Sequence, residues 1–238
     1  MIRPGLMINY PKFEKNAELI ENKIAGICAQ CGREPNEIKV LAVTKSHAYQ
    51  AVEYAERYGY KAIGENLVQE ASDKKQKINS QLRWEFIGHL QSNKAKLAVA
   101  TFDRIQSVDR LKILKALDRY SGESNKTLPV LLQINAGEDP AKYGATIETA
   151  PALLEAALQC NNIKVEGLMT IAPLSNNRDL AANCFEHLRA LRDSLAVDFG
   201  TPLPELSMGM TGDMIQAIEA GSTLIRIGTA LYGERENK

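Results

Sequence analysis

Short apolar runs alternate with longer segments of helical periodicity along most of the chain. The runs are rich in Val, Ile and Leu, which is typical of buried parallel strands. They lie at 38–45, 61–65, 84–88, 104–108, 129–135, 164–171, 204–208 and 223–228. The segments between them predict helices at 49–58, 66–80, 91–99, 109–121, 146–161, 178–198 and 213–220. Strands that alternate with helices pair in parallel, because each crossover needs about a helix of chain.

A further helix is predicted ahead of the first strand. Ile20, Ile24 and Ile27 recur at near-helical spacing within 9–30, and Gly32 supplies a stop. Eight strands and one extra N-terminal helix predict an α/β fold, a single (β/α)8 TIM barrel domain over 1–238. The alternative is an open doubly wound sheet, but no G-x-G-x-x-G motif follows the first strand.

Composition narrows the possible functions. Lys+Arg and Asp+Glu both count 29, so the formal net charge is zero, and aromatics are only 6%. The chain has neither the net positive charge nor the aromatic content that would favour binding of nucleic acid. We expect no membrane span and no secretory leader, hence a cytoplasmic protein. We expect no metal site, and we interpret the lone Cys28-x-x-Cys31 as two thiols one helical turn apart.

Lys45 ends the first apolar run, where a barrel carries its active face. A lysine amine at the tip of a strand is able to attack an aldehyde and form a Schiff base. The simpler interpretation is a lysine whose charged head only reaches water.

A phosphate cradle is predicted after the seventh and eighth strands. The stretch 207–213 (SMGMTGD) offers hydroxyls at Ser207 and Thr211 beside flexible glycines such as Gly209, and Gly228-Thr229 repeats the arrangement. These loops frequently bind phosphate in TIM barrels. An aldehyde-capturing amine together with a phosphate cradle points to pyridoxal 5'-phosphate (PLP).

Arg226 lies within the last apolar run, so its charge needs a partner. One alternative is a salt bridge with Glu65 or Glu166. The other is contact with the cofactor ring, where a permanently charged guanidinium disfavours protonation of the pyridine nitrogen and subdues carbanion chemistry.

Six motifs in order resemble the pyridoxal phosphate homeostasis protein family, whose barrel is alanine-racemase-like. They are 41–45 (LAVTK), 64–70 (GENLVQE), 86–94 (FIGHLQSNK), 167–169 (GLM), 206–214 (LSMGMTGDM) and 226–233 (RIGTALYG). The resemblance implies a fold-type III PLP barrel with Lys45 as the Schiff-base lysine. It further implies that Ser207, Gly209, Met210, Gly228 and Thr229 form the phosphate cradle, that Arg226 faces the pyridine nitrogen and that Asn66 lies near the cofactor. Thr211 departs from the family, which often has Ser there.

The resemblance implies a non-catalytic protein that holds PLP and buffers or delivers it, with effects on vitamin B6 and amino-acid balance. PLP-dependent apo-enzymes are the expected recipients. Related racemases add a C-terminal β domain that supplies a second acid/base. We expect none in this chain, which ends soon after the eighth strand, and we therefore expect a monomer. The alternatives are a weak PLP-dependent amino-acid racemase and a PLP-free Schiff-base aldolase.

Overall fold

The structure, a computed structural model, describes residues 8–175 and 177–233. Its parallel strands form a closed barrel in sequence order, and the last strand pairs with the first. They are β1 (Lys39–Val43), β2 (Ala62–Glu65), β3 (Arg83–Phe86), β4 (Arg104–Val108), β5 (Leu128–Gln133), β6 (Ile163–Met169), β7 (Glu205–Ser207) and β8 (Leu224–Ile227). The predicted (β/α)8 barrel is confirmed, and the open doubly wound alternative is wrong. The expectations about a leader and about the chain end fall on 1–7 and 234–238, outside the described residues.

Helices follow the strands around the barrel, after one helix at the N-terminal side. They are α1 (Tyr10–Cys31), α2 (Gln50–Tyr58), α3 (Val68–Lys75), α4 (Ala95–Thr101), α5 (Leu111–Glu123), α6 (Ala150–Leu158), α7 (Arg178–Asp198), α8 (Met214–Glu219) and α9 (Thr229–Tyr232). Short 3-10 turns occupy Pro35–Glu37 and Ser92–Lys94. The predicted helices are present. Three of them, α3, α6 and α8, are shorter than predicted, whereas α4 and α5 begin and end later.

Local hydrogen bonding explains one of the shortened helices. The prediction extends the sixth barrel helix back to residue 146, but α6 begins at Ala150. The side chains of Thr146 and Thr149 bond to each other's backbone N–H groups, at 3.2 and 3.0 Å. Ser and Thr side chains compete with the helical ladder in this way, so the helix starts only after them.

The N-terminal helix α1 packs against α8 and α9. Asn9 caps it by accepting a hydrogen bond from the Lys12 N–H at 3.1 Å, and Gly32 ends it with φ 71°. Phe13 is fully buried, and its ring centroid lies 5.1 Å from that of Tyr232 in α9. The prediction that Cys28 and Cys31 are two thiols one helical turn apart is confirmed, since both are free and lie within α1.

The buried interior carries charges as well as apolar groups. A small apolar cluster of Leu41, Ala62 and Leu224 lies apart from the main core. Towards the N-terminal ends of the strands, Arg104 is fully buried and pairs with Glu85 at 2.8 Å. Buried ion pairs of this kind constrain geometry more reliably than they stabilise the fold.

Candidate functional site

Closure of the barrel gathers the predicted site residues at one rim. Strand β1 pairs with β8 through Ala42 and Ile227, and with β2 through Val43 and Gly64. Continuing this register places Lys45 beside Asn66 on one side and, on the other, beside Ala230, which follows the Gly228–Thr229 turn. Because all the strands are parallel, these segments emerge at the same C-terminal edge.

The backbone on both sides of Lys45 is held by side chains from β2 and α3. Thr44 donates its hydroxyl to Glu65 Oε1 at 2.6 Å, and its carbonyl accepts from Lys74 Nζ at 2.8 Å. Ser46 has a left-handed φ of 63°, and its N–H donates to Glu70 Oε1 at 2.6 Å. A positive φ in a residue other than glycine costs energy and persists only where neighbours enforce it.

Lys74 links the two carboxylates to the backbone beside Lys45. Its ammonium donates to Glu65 Oε1 at 2.7 Å and to Glu70 Oε1 at 2.8 Å, in addition to the Thr44 carbonyl. All three of its protons are therefore engaged. Burial raises the pKa of the Glu65 carboxyl, and the nearby Lys74 opposes that rise.

Arg226 is almost completely buried in the barrel interior. Its Nη1 donates to the carbonyl and the hydroxyl of Ser207, both at 2.7 Å, and its Nη2 donates to the Thr170 carbonyl at 2.7 Å. Within 8–175 and 177–233, no carboxylate forms a salt bridge with it. The salt-bridge alternative is therefore wrong for both candidates: Glu65 pairs with Lys74, and Glu166 pairs with Arg104. Burial lowers the pKa of Arg226 to about 10.

The turn after β7 has the backbone geometry that the cradle prediction requires. Gly209 has φ 94°, and a Cβ there would lie 2.4 Å from the Ala217 Cβ. Its carbonyl accepts from the Arg226 N–H at 3.0 Å, which ties the turn to β8. The Met210 N–H donates to Asp213 Oδ1 at 2.6 Å, so one anionic group already binds this backbone donor.

The second half of the cradle begins a short helix. Gly228 is the N-cap of α9, and Thr229 is its exposed first residue. The sequence pattern predicts a turn there but gives no sign of the helix. Tyr232, at the end of α9, donates its hydroxyl to the Ala51 carbonyl at 2.9 Å and so packs α9 against α2.

A cavity of about 1090 Å³ opens beside Ser46, over the ends of β1, β2 and β3, and Asn66 is the predicted site residue that lines it. Asn66, Glu70, Lys74 and His89 are among its lining residues. Asn66 Oδ1 is buried and accepts no hydrogen bond from the described residues. The backbone of Asn66 is fixed by close packing, because a Cβ on Gly88 would lie only 2.1 Å from the Asn66 carbonyl oxygen.

Sequence reasoning missed the residues that support the predicted site. Glu70 and Lys74 stand four apart on α3, a spacing typical of helical ion pairs, but nothing in that spacing indicates Thr44 or Ser46. Gln106 was also missed. Its side chain accepts the Ser207 hydroxyl at 2.6 Å, so that hydroxyl is fully buried and directed towards Gln106 and Arg226.

The described residues contain neither a metal-binding cluster nor a membrane-spanning helix. No group of three or more His, Cys, Asp or Glu side chains there is arranged to hold a metal ion. Among the helices in that part of the chain, none has the length and apolar character to span a membrane.

Comparisons with known proteins place the barrel in a family. The family model for the alanine racemase N-terminal domain matches residues 16–236. The pyridoxal phosphate homeostasis protein of Vibrio alginolyticus is 36% identical over 94% of this chain and 97% of its own length. The corresponding protein of Aquifex aeolicus is 37% identical over 94% of this chain and 98% of its own. The chain belongs to the pyridoxal phosphate homeostasis protein family.

Solved structures agree with membership of the homeostasis protein family. PipY of Synechococcus elongatus, solved with PLP bound, is 34% identical with a TM-score of 0.78 and covers 88% of this chain and 100% of its own. Alanine racemase of Clostridium difficile shares only 14% identity but has a TM-score of 0.78, and the match covers 100% of this chain and 61% of the racemase. The racemase likeness shows the shared fold.

Proposed function

We propose that this chain binds PLP as a Schiff base on Lys45 and buffers or delivers it in vitamin B6 and amino-acid homeostasis. The observation that carries the proposal is a buried cation, Arg226, that forms no salt bridge within the described residues and lies near the C-terminal end of β8, the end of the barrel from which Lys45 and the Gly209 turn emerge. The names of the relatives and the PLP in the PipY structure support it.

The residues of the rim fit the chemical groups of PLP. When bound, PLP supplies an aldehyde, a phosphate and an electron-withdrawing pyridine ring. Lys45 would hold the aldehyde through its side-chain amine. The backbone at Gly209 and Gly228 and the Thr229 hydroxyl would hold the phosphate. Met210, whose N–H donates to Asp213, would lie beside them. Ser207 and Arg226 hold the turn after β7 in place. The buried Asn66 Oδ1 accepts from no donor among the described residues, which suits a residue that contacts a ligand.

Arg226 supports a holding role over a catalytic one. Its pKa of about 10 remains well above neutral pH, so the guanidinium stays charged and acts only as a donor. A donor facing the pyridine nitrogen keeps that nitrogen unprotonated, which weakens the ring as an electron sink. We therefore propose a non-catalytic, cytoplasmic, monomeric PLP-binding domain over 1–238, with PLP-dependent apo-enzymes as recipients.

Retention of PLP by two lysine variants tests this proposal. Lys45→Ala should lose the visible Schiff-base absorption band after gel filtration, because the covalent link is removed. Lys61→Ala is the matched control, since this exposed lysine precedes β2 at the opposite end of the barrel. A Lys45→Ala protein that keeps both the band and stoichiometric PLP would refute the Schiff-base assignment.

The runner-up function is a weak amino-acid racemase, which the match to the alanine racemase N-terminal domain favours. Racemisation requires removal of the α-proton, so it predicts exchange of that proton for deuterium in heavy water. The carrier proposal predicts no Lys45-dependent exchange across a broad panel of amino acids. A Lys45-dependent exchange rate would make the protein an enzyme.

A further inference from the structure

A chain of buried polar side chains runs through the barrel interior to Arg226. Arg226 donates to the Ser207 hydroxyl, Ser207 donates to Gln106 Oε1 at 2.6 Å, and Gln106 Nε2 donates to Glu85 Oε2. Arg104 Nε donates to the same Glu85 oxygen at 2.9 Å. None of these five side chains is more than 4% exposed.

In this series of buried side chains, the ion-paired carboxylate of Glu85 fixes the direction of every hydrogen bond. Arg83 and Arg104 both pair with Glu85 at 2.8 Å, so its carboxylate acts as an acceptor and the Gln106 amide must turn its NH2 group towards it. The amide oxygen of Gln106 then faces Ser207 and accepts the hydroxyl proton. The lone pairs of the Ser207 oxygen are left for Arg226.

We propose that Gln106 is a positioning residue for the cofactor ring, because it fixes the Ser207 hydroxyl as an acceptor and thereby orients the Arg226 guanidinium. This inference rests on the proposed PLP site. The ion-pair cluster at the N-terminal end of the barrel acts as an anchor, since Arg83 and Arg104 hold Glu85 and Glu85 holds the amide. The geometry of the cofactor site is thus set partly from the opposite side of the barrel.

The other hydrogen bonds of Arg226 do not replace its bond to the Ser207 hydroxyl. Its bonds to the Ser207 and Thr170 carbonyls are to backbone acceptors. Without Gln106, the Ser207 hydroxyl is able to rotate and point its proton towards the guanidinium. A donor facing a donor would push Arg226 out of its position. Hydrogen bonds to charged groups are stronger than those between neutral groups, so the effect is measurable.

Gln106→Met tests the inference, because it keeps the length and bulk of the side chain but removes the amide. We expect the PLP dissociation constant to rise about tenfold. We also expect the 15N resonance of the PLP ring nitrogen to shift. In the PLP-free protein, the Arg226 side-chain N–H groups should exchange with solvent faster than in the wild type.

Ser107→Ala is the matched control on the same strand. Ser107 is as buried as Gln106, but its hydroxyl has no hydrogen-bond partner among the described residues. It should therefore leave the ring resonance and the arginine exchange unchanged. A role for Gln106 in packing alone would lower the melting temperature of Gln106→Met and move neither readout, and that result would overturn the inference.

Ser207→Ala provides a second route if Gln106→Met does not fold. It breaks the same chain one link later with a smaller change and should shift the same two readouts. Combining Gln106→Met with Ser207→Ala should add little to the effect of either single variant, since both act through the Ser207 hydroxyl. Additive effects would contradict the proposed role of Gln106. If the wild-type protein binds no PLP, the proposed function is wrong. The solvent exchange of the Arg226 side-chain N–H groups in the PLP-free protein would still test the role of Gln106.

Discussion

At the scale of single residues, the candidate cradle depends on one glycine. Gly209 combines a left-handed φ of 94° with a position where an added Cβ would meet Ala217 at 2.4 Å and Ile225 at 2.9 Å. The conformation and the close approach both exclude a larger side chain. Gly212 lies three residues later, has no positive φ, and has open space around its missing Cβ.

Gly209→Ala should lower the free energy of unfolding by about 1–3 kcal/mol through strain and overpacking. It should also weaken PLP binding, because the turn must shift away from Ala217. Urea denaturation and a PLP titration measure the two effects. Gly212→Ala is the control and should change stability by less than about 0.5 kcal/mol. Equal effects of the two substitutions would show that the Gly209 geometry does not matter.

At the scale of elements, α3 and the end of β1 are joined by buried charges. Lys74 of α3 bonds to Glu65 and to the Thr44 carbonyl, and Glu65 is fully buried. Removal of one partner from a buried pair leaves an uncompensated charge, which is costly. The loop that carries Lys45 therefore depends on an ion pair supplied by a neighbouring helix.

Lys74→Met should destabilise the fold by about 3–5 kcal/mol at neutral pH. Burial already raises the pKa of Glu65, and loss of Lys74 removes the group that opposes the rise. A carboxyl with a raised folded pKa contributes stability below its unfolded pKa of about 4.3 and loses it as the pH rises through the folded value. The deficit of Lys74→Met should thus grow between about pH 4.3 and pH 7, as measured by urea denaturation.

Two further variants isolate the cause of that pH dependence. Lys77→Met changes an exposed lysine that lines the same cavity, and it should be close to neutral. Adding Glu65→Gln to Lys74→Met removes the buried carboxyl and should recover much of the stability lost at pH 7. A deficit that is independent of pH, or no recovery in the double variant, would argue against the buried charge.

The elements themselves could be predicted well from the sequence. Val- and Leu-rich runs such as 129–135 coincide with a strand, because residues in a parallel barrel are buried on both faces. Helix ends were less predictable: Thr146 and Thr149 bond locally and delay α6. The four-residue α9 is too short for helical periodicity to indicate it.

At the scale of the whole molecule, barrel closure creates contacts that no local pattern encodes. The positions of Lys45 and Arg226 could be predicted, since both follow from strand ends and motifs. The bond between Gln106 and Ser207 joins residues 101 apart in sequence, and that between Thr44 and Lys74 spans 30. Side-chain partners at such distances depend on strand register and packing. The salt-bridge alternative for Arg226, with Glu65 or Glu166, was therefore wrong, since these acids pair with Lys74 and Arg104.

Ligand binding should raise the stability of the whole barrel. A ligand at a hundred times its dissociation constant adds about 2.7 kcal/mol, which for a chain of this size is roughly 5–10 °C in melting temperature. PLP should produce this shift in calorimetry, and pyridoxal, which lacks the phosphate, a much smaller one. Equal shifts with both compounds would contradict a phosphate cradle at Gly209 and Gly228.

The most direct measurement is borohydride reduction of the PLP-loaded wild-type protein, followed by peptide mass mapping. Reduction fixes the Schiff base as a stable secondary amine on whichever lysine carries it. The account predicts one pyridoxyl group per chain, on the peptide that contains Lys45. A modification spread over exposed lysines, or none at all, would contradict the central claim that this barrel holds PLP through Lys45.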